Sequence, residues 1–349
     1  MKIFLETYDQ RYGDRIAFLG TIQNQLSDHH DIMFVSSYEE ADILMSQQVS
    51  YLPNLDFCLN QKKPVIIIEV NDSASIKNNE MRKAIKNPVV KGFFKVTNFK
   101  DIENHNKPTT GERYHANFIN QHANLGEVKE HIVKFTDEEL LKIQCASPSF
   151  LNFRMDQVRK ADGLANSNRP IDVNFAGTTD YTKNKNYVNL PEGDPKLALP
   201  LLIGMHRKWA ISEIVDATKD QNLKSIIVDH KPMSQPEYWN SLYSSKVCIS
   251  PWGFGAYNWR DYEAIYLGAL LVKPNTDFLE TYCDLFRAGE NYVECDQNFA
   301  NLQSVLKDCL ENYNDYTPIR ENALKTLNDH HDIEKIAARF AKQLGNCLK

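Results

Sequence analysis

Residues 246–274, KVCISPWGFGAYNWRDYEAIYLGALLVKP, restrict the fold of this 349-residue chain more than any other stretch. Residues 246–249 read as a short buried strand, and Ser250-Pro251 with Gly253 and Gly255 break the regular pattern. From Asn258 the apolar positions Trp259, Tyr262, Ile265, Tyr266 and Ala269 return at steps of three and four, so a helix starts there. It stops near Gly268, before a strand at 269–272. In such a strand, glycine loop and helix unit, the unpaired N–H groups at the helix start favour an anionic group. Arg260 lies in the first turn, and Glu263 shares its face one turn later. The guanidinium suits a phosphate and the carboxylate suits a sugar hydroxyl pair, the outline of a nucleotide-diphosphate site. The plain alternative is an intrahelical ion pair. Gly253 and Gly255 would permit positive φ in a tight turn, a reading compatible with letting a ligand approach the backbone.

The rest of the chain repeats the strand and helix alternation. Residues 64–70, PVIIIEV, form an apolar run typical of a parallel strand buried on both faces. With strands at 2–5, 32–35 and 43–46 and a helix at 15–25, it implies a doubly wound α/β domain over 1–125. Residues 126–170 are expected to lie between domains, and 171–325 to form a second α/β domain. That domain opens with a strand at 171–176 followed by the small-residue loop Gly177, Thr178 and Thr179. A helix over 197–217 carries Arg207 and Lys208, and a helix with a turn is expected over 276–289. Asp229 and His230 follow the strand at 225–228, at the carboxyl edge where open α/β sheets bind ligands. The segment 326–349 is a last helix, capped by Asp332, with a stripe of Ile333, Ile336, Ala337, Phe340 and Leu344 that packs on its own protein.

Composition narrows the partners. A net charge of -6 and a pI near 6.0 argue against nucleic acid, whose phosphates call for a basic face. Seven scattered cysteines without a Cys-x-x-Cys pair fit free thiols in a reducing compartment. No apolar run reaches the length of a membrane span, so a cytoplasmic location is expected, with peripheral contact at the inner face of the membrane compatible. The chain lacks Asp-x-Asp, so neither metal nor cofactor is expected, and the charge facing a diphosphate falls to Arg260, Arg207 and helix dipoles. The Asp-His-His-Asp runs at 28–31 and 329–332 read as solvated turns and a helix cap rather than zinc ligands.

Ser250-Pro251, the glycine pair, Trp259-Arg260, Glu263-Ala264, Gly268-Ala269 and the apolar strand ending in Pro274 resemble the donor-binding segment of exostosin-like and group 1-like GT-B glycosyltransferases. The close resemblance covers about a tenth of the chain, with a looser one over 172–310. It implies two Rossmann-like domains in a GT-B arrangement, with the last helix crossing back to the first domain. The first domain would present an acceptor and the second would hold a nucleotide-sugar. Arg260 and Glu263 would face that donor, with Ser250, Gly253, Gly255, Tyr257, Asn258, Trp259, Gly177, Thr178, Thr179 and Arg207 around it. Trp252 stands where relatives often have a basic residue, and Ala256 where some have an acid, so the donor's identity does not carry over.

The activity so implied is sugar transfer to a glycan or glycolipid acceptor of the surface-polysaccharide or lipopolysaccharide type. An inverting transfer needs a base, for which Glu6 and Asp9 after the first strand are candidates, and His115 and His122 further ones. A retaining transfer would turn attention to Asp229 and His230. Competing readings are a nucleotide-sugar epimerase or hydrolase of the same plan, and a non-catalytic glycan-binding protein.

Overall fold

A computed structural model describes residues 1–6, 13–48, 53–76, 78–109, 113–124, 132–146, 148, 153–181, 186, 188–191, 195–229 and 233–349. The first half supplies β1 (Lys2–Glu6), β2 (Met33–Val35), β3 (Ile43–Gln48), β4 (Val65–Glu69), β5 (Val90–Lys95), β6 (Thr97–Phe99) and β7 (Ile143–Cys145). The second supplies β8 (Ile171–Gly177), β9 (Ser225–Asp229), β10 (Ser245–Ile249), β11 (Leu270–Pro274), β12 (Leu279–Thr281) and β13 (Val293–Cys295). One sheet has the order β2-β1-β3-β4-β5-β7 and the other β13-β11-β10-β8-β9. All pairings within them are parallel, so the chain forms two Rossmann-like α/β halves.

The apolar run around β4 explains why the first sheet is covered on both sides. Ile66 and Ile68 face a core shared with Ile3, Phe18 and Phe340, whereas Val65 and Ile67 face one with Leu44, Leu55 and Phe93. Successive residues point to opposite faces, and each such side chain contributes roughly 1.5–3 kcal/mol by its burial.

In each sheet the chain lays one strand, adds the next on one side, and places the third on the other. The switch points therefore fall between β1 and β3, and between β8 and β10. Glu6 and Gln48 end the first pair, Gly177 and Ile249 the second, and crevices at such carboxyl ends are where this architecture takes ligands.

Two findings depart from the sequence expectations. Ile143–Cys145, in the stretch expected between domains, adds the edge strand of the first sheet by pairing with β5. Three residues are too few for periodicity to reveal. Leu279–Thr281 pairs antiparallel with β6 of the first half, where a helix was expected. The register Leu279 to Phe99 is a long-range contact that local propensity does not encode.

The halves are also joined by the final helix, Ile333–Cys347, which lies along helix Gly13–His30. Ile336, Ala337, Phe340 and Leu344 are buried, while Ile333 stays exposed. The Phe340 ring meets Phe18 and Phe94 edge-on at 6.0 and 5.9 Å. Asp332 caps the helix by accepting from the N–H groups of Glu334 and Lys335.

The helix of the central unit, Trp259–Tyr266, closes at Gly268, whose φ is +74°. A side chain there would be strained and would also meet the Gly163 carbonyl at 2.5 Å. Beside it, buried Arg169 donates to the carbonyls of Gly163, Leu267, Tyr243 and Ser245 at 2.6–3.0 Å. One guanidinium thus satisfies carbonyls at the ends of two helices and fixes how the central helix sits on its sheet.

Candidate functional site

The turn between β10 and helix Trp259–Tyr266 is filled by its own residues. Asn258 accepts from the Arg260 N–H at 3.1 Å, and Asp261 accepts from the Asn258 N–H at 3.1 Å, forming a capping box. Asp261 is wholly buried, takes a hydrogen bond from the Ser250 hydroxyl, and pairs with buried Lys273 of β11 at 2.6 Å. The helix start expected to attract an anion is therefore already capped by its own amide and carboxylate. Ser250 and Asn258 hold the turn's shape, and Tyr257 is buried against Phe286 at 5.6 Å.

The same turn is pressed into the first half. Trp252 is fully buried, stacked on His206 at 5.0 Å, with His115 and Phe118 of the first half at 5.8 and 6.0 Å. Arg113 donates to the Phe254 carbonyl at 2.7 Å, and His115 Nε2 lies 3.0 Å from the Gly253 carbonyl. Neither Gly253 nor Gly255 has positive φ. Gly255 is small because a Cβ would meet the Asp72 carbonyl at 2.2 Å, and Gly253 because one would lie 3.1 Å from Arg207 Nη2. At Gly255 the backbone of the first half closes on the turn, whereas at Gly253 the space beside the backbone is shared with the Arg207 guanidinium.

Behind the turn, two guanidiniums converge on the switch point of the second sheet. A methyl group at Gly177 would sit 3.1 Å from Arg260 Nη2 and 3.5 Å from Arg207 Nη1. Arg260 donates to the Ala176 carbonyl and lies over the Phe175 ring at 5.4 Å. Arg207, on helix Pro195–Gln221, donates to the Thr178 carbonyl at 2.9 Å and the Tyr181 hydroxyl at 2.7 Å. Among the described residues neither makes an ion pair with a carboxylate. Arg207 Nε and Arg260 Nε and Nη1 have no partner in hydrogen-bond geometry, although Tyr238 lies beside Arg260. Burial pulls Arg207 down to about 10; Tyr181 opposes this and the charge of Arg260 adds to it. A buried guanidinium and a half-buried one, with spare donors at one strand end, are a site that an anion would relieve.

The remaining candidates have protein partners. Thr179 gives its N–H and hydroxyl to Asp229 at 2.9 and 2.6 Å, so this pair ties the ends of β8 and β9 together. Glu263 is buried and does not pair with Arg260. It accepts from Arg154 Nε at 2.7 Å and Trp239 Nε1 at 2.9 Å, while Arg154 also lies 5.5 Å from the Trp259 ring. Glu6 stands half-buried at the switch point of the first sheet, where its charge adds to the burial that raises the Cys58 thiol to about 11. Asp9 and His230 lie outside the described residues. Burial drives buried His115 down to about 4, whereas His122 is on the surface of helix Tyr114–His122. No cluster of three or more metal-ligating side chains occurs among the described residues.

No protein-family model matches this chain, and no curated protein matches it significantly. Comparison with solved structures finds proteins of similar length. An alpha-glucosyltransferase in complex with UDP shares 12% identity over all of both chains, with a TM-score of 0.48. A glycosyltransferase from Rickettsia africae shares 13% over 100% of this chain and 98% of its own, with a TM-score of 0.49. Alr3699/HepE of Anabaena, also in complex with UDP, shares 12% over 99% and 100%, with a TM-score of 0.46.

No helix among the described residues is long and apolar enough to cross a membrane. The residues that complete the site, Tyr181 and Tyr238 beside the two arginines and Arg113 and Asp72 at the turn, carry no local signal in the sequence.

Proposed function

We propose that the chain is a GT-B glycosyltransferase that binds a nucleotide-sugar in its second half and transfers the sugar to a glycan or glycolipid acceptor held by the first. The observation that supports this most is the convergence of Arg207 and Arg260 on Gly177, with donors to spare, at the β8/β10 switch point. A diphosphate placed there would receive charge-assisted hydrogen bonds and be stabilised as it departs, without needing a metal. The resemblance of residues 250–274 to donor-binding segments agrees with this placement. Donor contact is then narrower than the sequence suggests, resting on the two arginines and the Gly177-Thr178 strand end.

An acid of the Glu6 to Asp9 stretch takes the acceptor proton in this reading, because that stretch begins at the matching switch point of the first sheet. Calorimetry with UDP, GDP and ADP, followed by transfer assays with the tightest nucleotide's sugars, tests the proposal. Arg260→Ala and Arg207→Ala should each weaken diphosphate binding by at least about tenfold, the loss of one charged hydrogen-bonded group. A folded double variant that binds nucleotide as the wild type does would overturn the reading. Rapid hydrolysis or epimerisation of the nucleotide-sugar without acceptor would assign the same site to a different reaction.

A further inference from the structure

A cavity lies at the seam, and neither Arg207 nor Arg260 lines it. Its volume is about 550 Å³, and it is walled by Phe118 and His122 of the first half and by Trp209, Glu294, Asp296 and Asn298 of the second. That volume falls within the roughly 300–1,000 Å³ usual for small-molecule sites. Trp209 is half-buried, and its ring is held edge-on by His122 at 5.0 Å and His206 at 5.9 Å. His122 Nε2 and Asn298 Nδ2 meet at 3.2 Å, so the two halves touch at the cavity wall. Glu294 and Asp296 are exposed there and make no ion pair among the described residues.

We infer that this cavity binds a saccharide unit, uncharged or carrying an amine. An indole and a phenyl ring offer flat apolar faces to the C–H face of a pyranose. The carboxylates and amides around them accept from and donate to adjacent hydroxyls, or pair with an ammonium. The same carboxylates repel phosphates and uronates, so the cavity selects against the ligand that the arginines attract. Trp209 follows Arg207 by two positions on one helix, roughly 200° around its axis, so the two ligands would occupy different sides of it. The inference stands on this cavity alone and does not require the nucleotide reading.

A glycan array with neutral, amino and acidic oligosaccharides, followed by tryptophan-fluorescence titration of the best binder, tests it. Neutral or amino glycans should bind, and Trp209→Ala should weaken them by at least about tenfold, the loss of one stacking platform. Asn298→Ala loses only partly exposed hydrogen bonds to His122 and Ala300, so it should stay folded and weaken binding measurably, and the test survives if Trp209→Ala does not fold. UDP calorimetry on the same variants should be unaltered. Binding of acidic glycans only, no binding at all, or full binding by Asn298→Ala and folded Trp209→Ala would each overturn the inference. Sugar binding that persists in a protein with no nucleotide affinity would remove the donor reading and leave this one standing.

Discussion

Lys273 Nζ lies 2.6 Å from Asp261 Oδ2, and neither side chain has any exposed surface. Burial lowers the Lys273 ammonium pKa, with Asp261 pulling the other way. Removing one partner leaves an uncompensated charge, so Lys273→Met should cost about 3–5 kcal/mol in urea unfolding. Asp261→Asn in the same chain should recover part of that loss. If Lys273→Met cost less than about 1 kcal/mol, the pair would not be what holds the turn.

Gly177 and Gly255 should respond differently to alanine. At Gly177 the new methyl meets two arginine tips at 3.1 and 3.5 Å and the edge of the buried Phe175 ring at 3.2 Å, but no backbone, so Gly177→Ala should weaken nucleotide binding more than it lowers stability. At Gly255 it meets the Asp72 carbonyl at 2.2 Å, so Gly255→Ala should destabilise the seam by about 1–3 kcal/mol. Thermal unfolding and UDP calorimetry on both variants check this contrast, and equal behaviour would contradict it.

Glu263 separates a structural role from a donor role. Glu263→Gln keeps an acceptor for Trp239 but removes the charge facing Arg154. Arg154 is partly exposed and can rehydrate, so the cost in stability should be about 1 kcal/mol or less. A fall of about tenfold in UDP affinity but not in pyrophosphate affinity would place this carboxylate at the ribose. Equal affinities for both would leave Glu263 as the anchor of Arg154 and Trp239.

Three buried histidines make stability depend on acid, and one of them, His105, is held by burial well below its ordinary value. Burial lowers His115 to about 4 and His206 to about 3, against backbone bonds to Gly253 and Gln297 that raise them. Above the unfolded value near 6.5 all three are neutral in either state and nothing is lost. Below it the unfolded chain binds protons first, so stability falls by about 1.4 kcal/mol per pH unit for each histidine until the folded values are reached. Unfolding midpoints measured from pH 7 to pH 4 should decline on this account, and His206→Gln should flatten the slope. A profile indifferent to that substitution would assign the acid sensitivity elsewhere.

The parallel architecture was legible in residues 64–70 and 246–274 because it rests on contiguous apolar runs and their spacing, which a chain carries in its order. The last helix and its Asp332 cap were legible for the same reason. Asn258 and Asp261, three residues apart at the start of the central helix, are a local capping signal that competes with an anion for the same N–H groups. Which side of the turn stayed available was a different matter. Gly253 and Gly255 read as a loop that a ligand could approach, yet Asp72, Arg113 and His115 close on this turn from the first half, far away in sequence. Arg207 and Arg260 belong to different helices, and only the packing of both around β8 brings them to Gly177. Periodicity and turn chemistry are properties of neighbours along the chain, so the sequence alone determined the elements and their order. Burial, charge pairing and cavity walls arise between segments that never adjoin, so the tertiary structure decided which of those residues are left to meet a ligand.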